Sequence, residues 1–241
     1  MTVEEFKNKW DVINAKFAID KDAEFNAIED GVVNWEAYIN TSPKILWLLK
    51  EAYDNDNEGE GGWSLAGLFN IDEDCYKFLK TTSSKKTWYP IIYTSYGILN
   101  NFMSYDDMDF IEDNIKMISC LKKIAFLNIN KFAGKSKSND SVLGKIFLEN
   151  QDILKKQIAL LNPDIIIGGN TLKFYNKMLG LSNIPYQTLD SGPKYYFKDD
   201  KLFIDAYHPG RIGINRYRHV NEDYIEDIIS IVRKCFKPLL P

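Results

Sequence analysis

Four short apolar runs, separated by longer amphipathic segments, constrain the fold of this chain more than any other feature. The runs are Ile45–Leu49 and residues 124–127, 164–168 and 202–206. Their continuous apolar character is typical of parallel strands buried on both faces of a sheet. Segments 107–121, 142–161, 172–179 and 221–236 have helical periodicity instead. This alternation predicts an α/β fold, a three-layer α/β/α sandwich with a central four-stranded parallel sheet.

The length of the chain fits one domain that spans residues 1–241. A chain of 241 residues with 45% hydrophobic content can cover a sheet on both faces. Residues 1–43 predict two or three helices packed on that sheet, beginning with a capping box at Thr2 and Glu5. The expected packing positions in this segment are Trp10, Phe17, Phe25 and Trp35. Tyr195, Tyr196 and Phe197 predict a strand in a β-hairpin that begins near residue 191.

The sequence predicts a cytoplasmic protein that does not bind membranes. No apolar run reaches the roughly 20 residues of a membrane span, and the first ten residues include acidic side chains but no apolar signal core. Three widely spaced cysteines, Cys75, Cys120 and Cys235, suit reduced thiols better than a disulfide framework or a metal site. We expect a monomer that needs no metal and no cofactor, although the sequence leaves the oligomeric state open.

The distribution of charge is more informative than its sum. A net charge of −4 argues against a protein that coats nucleic acid. Two stretches without acidic residues are nevertheless basic, residues 131–139 and residues 207–219, and the second contains both histidines of the chain. Their cations are Lys131, Lys135, Lys137, Arg211, Arg216 and Arg218. If the stretches lie side by side they form a positive rim, although the lysine stretch can also be a solvated loop.

Polar side chains follow each of the four predicted strands. In an open parallel sheet, ligands bind outside the carboxyl ends of the strands. The first strand runs into residues 50–53, which include Glu51 and Tyr53, and the second ends at Asn128. The third ends at Asn170, and the fourth leads into His208. With the exception of Asn170, which we expect to cap a helix, these side chains are the candidates for a site.

The order of the strand-end motifs resembles that of the uracil-DNA glycosylase superfamily. KEAYD at residues 50–54 is similar to the GEAPG form of the first motif, LNINK at 127–131 to a TNVVK-like segment, and HPGR at 208–211 to the HPS motif. LNPDIIIGGN at 161–170 is similar to the stretch that includes the third strand. The resemblance covers roughly residues 44–236. Lys50, Tyr53 and Asp54 depart from GEAPG, and Gly210 stands where Ser is usual.

The resemblance implies a uracil-DNA glycosylase-like fold and removal of uracil or another modified base from DNA. It implies that His208 donates a hydrogen bond to the departing base, and that Glu51 either holds the attacking water or stabilises the positive charge that develops on the sugar. Asn128 would read the base, with Tyr53 beside it, and an aromatic ring of Trp63 or Phe69 would stack on it. The basic residues of the two stretches would contact DNA phosphates. The iron–sulfur cluster of many GEAPG branches needs four cysteines, which this chain lacks.

Structural roles are the alternative for each of these residues. His208 can simply end a strand, Asn128 can bond its own backbone, and Asn170 reads as a helix N-cap. Glu51 can be an idle loop carboxylate, and Trp63 can be a core residue. The alternative function is a nucleic-acid-binding or nucleotide-binding protein that keeps the fold without the chemistry. A third is an unrelated small-molecule enzyme on a similar sheet.

Overall fold

Within the described residues, a seven-stranded mixed sheet forms the centre of the molecule. The computed structural model describes residues 1–18, 25–54, 59–134, 137–189, 192–211 and 222–236. The strands are β1 (Gly31–Val32), β2 (Ile45–Leu49), β3 (Ala125–Asn128), β4 (Ile165–Gly169), β5 (Gln187–Thr188), β6 (Lys194–Lys198) and β7 (Lys201–Ala206). Their order across the sheet is β1-β3-β2-β4-β7-β6-β5.

The four predicted strands lie next to one another in the sheet and run parallel. β2 pairs with both β3 and β4, and β4 pairs with β7. Each observed strand lies within one residue of its predicted bounds. The predicted four-stranded sheet is incomplete, however, because β1 adds an antiparallel strand at one edge and β6 and β5 add two at the other. β6 contains Tyr195–Phe197 and pairs with β7, as the predicted hairpin requires, but residues 190–191 lie outside the described part of the chain.

Helices cover both faces of the sheet. They are α1 (Val3–Asn14), α2 (Trp35–Ile39), α3 (Leu65–Asn70), α4 (Asp72–Leu79), α5 (Thr82–Leu99), α6 (Asp140–Leu161), α7 (Leu172–Tyr175) and α8 (Glu222–Phe236). Alternate side chains of a strand point to opposite faces. Trp47 therefore packs in one apolar core with α3, α4, α5 and α8, whereas Leu46 and Leu48 pack in a second with α1, α2, α6 and α7. The sheet is thus buried on both sides, which explains the continuous apolar runs.

The N-terminal segment begins as predicted. The backbone N–H of Glu5 donates to Thr2 Oγ1 over 3.2 Å, and that of Thr2 donates to Glu5 Oε2 over 2.8 Å, so the capping box is present. α1 reaches the sheet layer through Trp10, whose ring lies 5.6 Å from that of Trp35. The expectation that Phe25 packs in the core is wrong, because its side chain is 56% exposed.

Residues 82–123 differ most from their predicted structure. The predicted helix 107–121 is replaced by 3₁₀ turns at Tyr105–Asp107 and Ile115–Lys123. The 18-residue helix α5 was not predicted, since its polar first turn and Pro90 both weaken helical periodicity. α5 forms nonetheless because its residues 88–93 are buried against the sheet and α8, so tertiary packing overrides local preference.

Candidate functional site

A cavity of about 640 Å³ opens at the carboxyl ends of the four parallel strands. Each strand contributes to its lining: Glu51 follows β2, Asn128 ends β3, Asn170 follows β4, and His208 follows β7. The structure therefore brings Glu51, Asn128 and His208 together at one cavity, as the strand-end argument predicts. The roles assigned to the three residues remain predictions.

Asn128 presents an unpaired carboxamide to the cavity. The residue is 2% exposed, and its backbone N–H donates to Asp30 Oδ2 over 2.6 Å. Among the described residues its side-chain amide has no hydrogen-bond partner. Because it lies on the lining of the cavity, this amide offers one acceptor and an NH₂ donor group to a ligand. The alternative that Asn128 merely bonds its own backbone is not what the structure shows.

His208 is half-buried at the cavity, and its ring orientation follows from the turn behind it. Nδ1 accepts a hydrogen bond from the backbone N–H of Gly210 over 3.1 Å. In a neutral imidazole the other nitrogen then carries the proton, which assigns the donor to Nε2. A side chain at Gly210 would come within 2.8 Å of Thr87 Oγ1 on α5. The glycine thus lets α5 pack closely against the turn that holds His208.

Glu51 lies at the edge of the cavity beside the segment that follows β3. Its Oε2 accepts a hydrogen bond from Asn130 Nδ2 over 3.2 Å. Tyr53, two residues further on, also lines the cavity, and 46% of its side chain is exposed. Both residues come directly from the loop after β2, so the chain brings a carboxylate and an aromatic ring to the same wall.

Phe78, Trp63 and Trp88 are the aromatic residues that line the cavity in addition to Tyr53. Trp63 is held by a hydrogen bond from Nε1 to Asp54 Oδ2 of 3.0 Å. The prediction that Phe69 stacks on a ligand is wrong, because Phe69 is 1% exposed in the core and does not line the cavity. Its ring lies edge-on against Trp88, 4.5 Å between centroids. Trp88 takes the place beside the cavity that was predicted for Phe69, and it was missed because α5 was missed.

Lys131 does not reach the surface. It is 3% exposed, and its Nζ lies 2.9 Å from Oδ1 and 2.8 Å from Oδ2 of Asp30. Burial raises the pKa of Asp30 and lowers that of Lys131, against the opposing effect that each charge has on the other. The prediction of a DNA contact by Lys131 is therefore wrong, since the side chain turns inward to neutralise a buried carboxylate.

Other lysines do lie at the cavity. Lys137 and Lys86 are exposed and line it, and neither forms a salt bridge within the described residues. Lys50 also lines it but pairs with Asp140 over 2.8 Å. Glu51 is the only acidic residue among the described lining residues. The cavity mouth is thus cationic although the chain as a whole is acidic.

Several predicted DNA contacts lie outside the described residues. They are Lys135, Arg216, Arg218 and the side chain of Arg211, whose backbone ends the 3₁₀ helix Pro209–Arg211. The predicted positive rim is therefore described only at its lysine side, where Lys137 stands and where Lys86 was not anticipated.

Asn170 is not the N-cap that its position suggests. Thr171 precedes α7, and no side chain caps that helix. Asn170 instead adopts a left-handed backbone conformation with φ of 58°, and its N–H donates to Ala206 O over 2.7 Å. This conformation, which Asn tolerates better than most residues, places it on the lining of the cavity. The Gly-Gly-Asn sequence at a strand end was the feature that could have indicated this.

No family model and no curated protein sequence matches the chain. Among the described residues, no group of histidine, cysteine and acidic side chains is arranged to hold a metal ion. No helix in the described ranges has the length and apolar character needed to cross a bilayer. Any function assigned to the chain therefore rests on the residues of the cavity.

Proposed function

We propose that the protein is a DNA glycosylase-type hydrolase, similar in fold and reaction to the uracil-DNA glycosylase superfamily. It removes uracil or another modified base by hydrolysis of the N-glycosidic bond. The observation that carries the proposal is the meeting of an acid, an unpaired amide and an imidazole, Glu51, Asn128 and His208, at one cavity. Three parallel strands supply them, and the first and last of these, β2 and β7, lie more than 150 residues apart in the sequence.

The cavity can hold a nucleobase rotated out of a DNA strand. Enzymes that act on a base extrude it into a pocket and read its hydrogen-bonding edge. The carboxamide of Asn128 can donate to one base atom and accept from another, which suits the edge of a pyrimidine. Trp63 and Trp88 supply aromatic surface at the same cavity. A base inside it is thus bound by stacking and identified by one amide.

The reaction breaks the bond between C1′ of the sugar and the ring nitrogen of the base, and the electron pair leaves with the base. His208 donates a hydrogen bond from Nε2 to the base as negative charge develops on it. Glu51 stabilises the positive charge on the sugar and accepts a proton from the water that attacks C1′. The departed base anion takes a proton from solvent. The products are the free base and an abasic site.

The exposed cations favour DNA as the substrate. Lys86 and Lys137 stand at the cavity without acidic partners in the described residues, where they can contact phosphates beside the extruded nucleotide. A neutral nucleoside would gain little from them. The lysines at the cavity therefore favour a polyanionic substrate over an isolated base.

The test is an incubation of the full chain with uracil-containing single- and double-stranded DNA, followed by alkaline cleavage of abasic sites. We expect product with the unaltered protein. His208→Ala should lower kcat by about 10²- to 10³-fold, the usual effect of removing one donor to a developing anion. Asn114→Ala is a control for the loss of a polar side chain elsewhere, because Asn114 donates to Asp109 and does not line the cavity.

Two results would overturn the proposal. One is DNA binding without base release from any substrate, which would establish the binding-protein alternative. The other is release that is unaffected in both His208→Ala and Asn128→Ala while circular dichroism shows both variants folded, which would move the reaction to a different site.

A further inference from the structure

The loop after β3 wraps around Glu51. Residues 49–53 and 128–134 run side by side beyond the sheet, joined by hydrogen bonds from Asn130 N to Lys50 O (3.0 Å) and from Gly134 N to Ala52 O (2.7 Å). Between these two bonds one segment advances by two residues and the other by four. The extra residues form a bulge, and the side chain of Glu51 lies against it.

Asn130 has a fixed orientation within this bulge. Its Oδ1 accepts a hydrogen bond from the backbone N–H of Phe132 over 3.1 Å. The Nδ2 group is thereby directed at Glu51, to which it donates over 3.2 Å. Because one end of the amide is bound to backbone, the side chain cannot flip without losing both hydrogen bonds. An amide donor of fixed direction is therefore built against one oxygen of the carboxylate.

Gly134 supports the carboxylate from the other side. A Cβ at this position would overlap Cγ and Cδ of Glu51 and would lie 2.8 Å from Oε1. Only a residue without a side chain permits this approach. Within the described residues, Oε1 has no hydrogen-bond donor, whereas Oε2 is bound by Asn130. One carboxylate oxygen is thus held, and the other is left to accept.

We propose that Asn130 is the positioning residue of Glu51 and that Gly134 provides the space in which Asn130 holds it. This assignment rests on the proposed glycosylase function, since it gives Glu51 a defined direction toward the attacking water. Asn130 does not line the cavity and acts through Glu51. The arrangement explains how a carboxylate in an otherwise solvated loop keeps a single orientation, which effective water placement requires.

The experiment compares three variants with three matched controls, all in the full chain. Asn130→Ala removes the donor, Asn130→Asp replaces it with a second carboxylate, and Gly134→Ala pushes Glu51 aside. The controls are Asn114→Ala and Asn114→Asp, at the distant amide–carboxylate pair, and Gly144→Ala, where an added Cβ meets Phe174 at an ordinary 3.7 Å. Base release gives kcat and KM, and the ¹³C resonance of the Glu51 carboxyl carbon reports its surroundings directly.

We expect Asn130→Ala and Gly134→Ala to lower kcat by about 10- to 100-fold, with KM within about threefold of the parent. Asn130→Asp should move the acidic limb of the kcat profile to higher pH, because two adjacent carboxyl groups retain a proton that one would release. The controls should leave kcat and its pH profile unchanged. The Glu51 resonance should shift in Asn130→Ala and stay constant in Asn114→Ala.

The outcomes separate this inference from the function on which it rests. If the parent protein releases a base and Asn130→Ala retains full kcat, the positioning role is wrong while the function stands. If the parent releases no base, the proposed function fails, and the ¹³C resonance alone decides whether Asn130 fixes the carboxylate. An unchanged Glu51 resonance in both Asn130→Ala and Gly134→Ala would reject the inference in either case.

Discussion

Two polar side chains at and just after the end of β3 are about equally buried, but one is hydrogen-bonded within the protein and the other is not. Lys131 forms two hydrogen bonds with Asp30 deep under the loop. Asn128, three residues earlier, has an amide with no partner among the described residues, and that amide faces the cavity. Asp30 connects the two regions, since its Oδ2 also accepts from the backbone N–H of Asn128.

The difference separates a structural polar group from a functional one. A buried charge whose partner offsets part of its desolvation cost joins two segments, and removal of either partner leaves the other charge uncompensated. An amide that has no protein partner and lies on the lining of a cavity can take its hydrogen bonds from a ligand. We infer that the Asp30–Lys131 pair holds the end of β3 in place so that Asn128 can remain unpaired at the cavity.

The largest effect is expected from breaking the buried ion pair between Asp30 and Lys131. Lys131→Met leaves the Asp30 carboxylate buried and alone, which should lower the free energy of unfolding by about 3–5 kcal/mol. Urea denaturation at pH 7 measures it. Because burial raises the pKa of Asp30, the protonated form is the favoured one in the variant. The loss should therefore be smallest in acid, where that carboxyl is protonated in the folded chain, and should grow as pH rises and the buried carboxyl is forced to ionise.

The double variant Asp30→Leu/Lys131→Met sharpens the same prediction. It removes both charges and should recover part of the stability that Lys131→Met loses, because no unpaired charge remains although the backbone N–H of Asn128 loses its acceptor. Lys137→Met, at an exposed lysine in the same stretch, should stay within about 0.5 kcal/mol of the parent. A loss in Lys131→Met no larger than in Lys137→Met would show that the pair does not stabilise the fold.

Substitution of Asn128 should have the opposite pattern, with little effect on stability and a large effect on binding. Asn128→Leu replaces an unpaired amide with an apolar side chain of similar size, so the free energy of unfolding should be unchanged or about 1 kcal/mol higher. Binding of uracil-containing DNA, or kcat/KM for base release, should fall at least about tenfold, because a site built around a hydrogen bond loses its recognition group. Urea denaturation and a binding titration of the same sample give both values. A destabilised variant with normal binding would reverse the assignment.

A smaller effect is expected from the exposed lysines. Lys137→Met and Lys86→Met should each weaken DNA binding a few-fold and reduce the dependence of log Kd on log salt by about 0.7–0.9. The measurement is a fluorescence titration over a range of salt concentrations. A pair of variants with unchanged salt dependence would mean that the cavity mouth does not contact phosphates.

The sequence predicted the residues at the carboxyl edge of the sheet well, because a general rule of α/β sheets applies there. Glu51, Asn128 and His208 were selected because parallel strands deliver their following residues to one edge, and the cavity lies at that edge. The four parallel strands were recognisable because burial on both faces leaves a continuous apolar run. Edge strands as short as β1 and β5, two residues each, carry no such pattern.

The residues that sequence reasoning missed depend on contacts between distant segments. Lys131 was assigned to the surface because nothing in its neighbourhood shows that Asp30, 101 positions away, lies underneath. Phe69 was proposed as a stacking ring and Trp88 was not considered, because only the packing of α5 shows that Trp88 lines the cavity while Phe69 lies beneath it in the core. Local patterns define elements, whereas the pairing of buried charges and rings is defined by the completed fold.

The smallest effect is expected from the surface ion pairs of Asp140, which can be compared with the buried pair of Asp30 and Lys131. Hydrogen bonds from Lys173 and Lys50 lower the pKa of Asp140 below its ordinary value, and the Asp140 side chain is 46% exposed. A depressed folded-state pKa gives stability that is present above the unfolded value and is lost as pH falls through the folded value. Asp140→Asn should therefore cost less than about 1 kcal/mol at pH 7. By urea denaturation the difference from the parent should vanish in strong acid and shrink in high salt, whereas the loss in Lys131→Met should persist in salt because that carboxylate is shielded from solvent. If the losses of unfolding free energy in Asp140→Asn and Lys131→Met depended equally on salt, the buried and surface ion pairs would not differ in the way proposed.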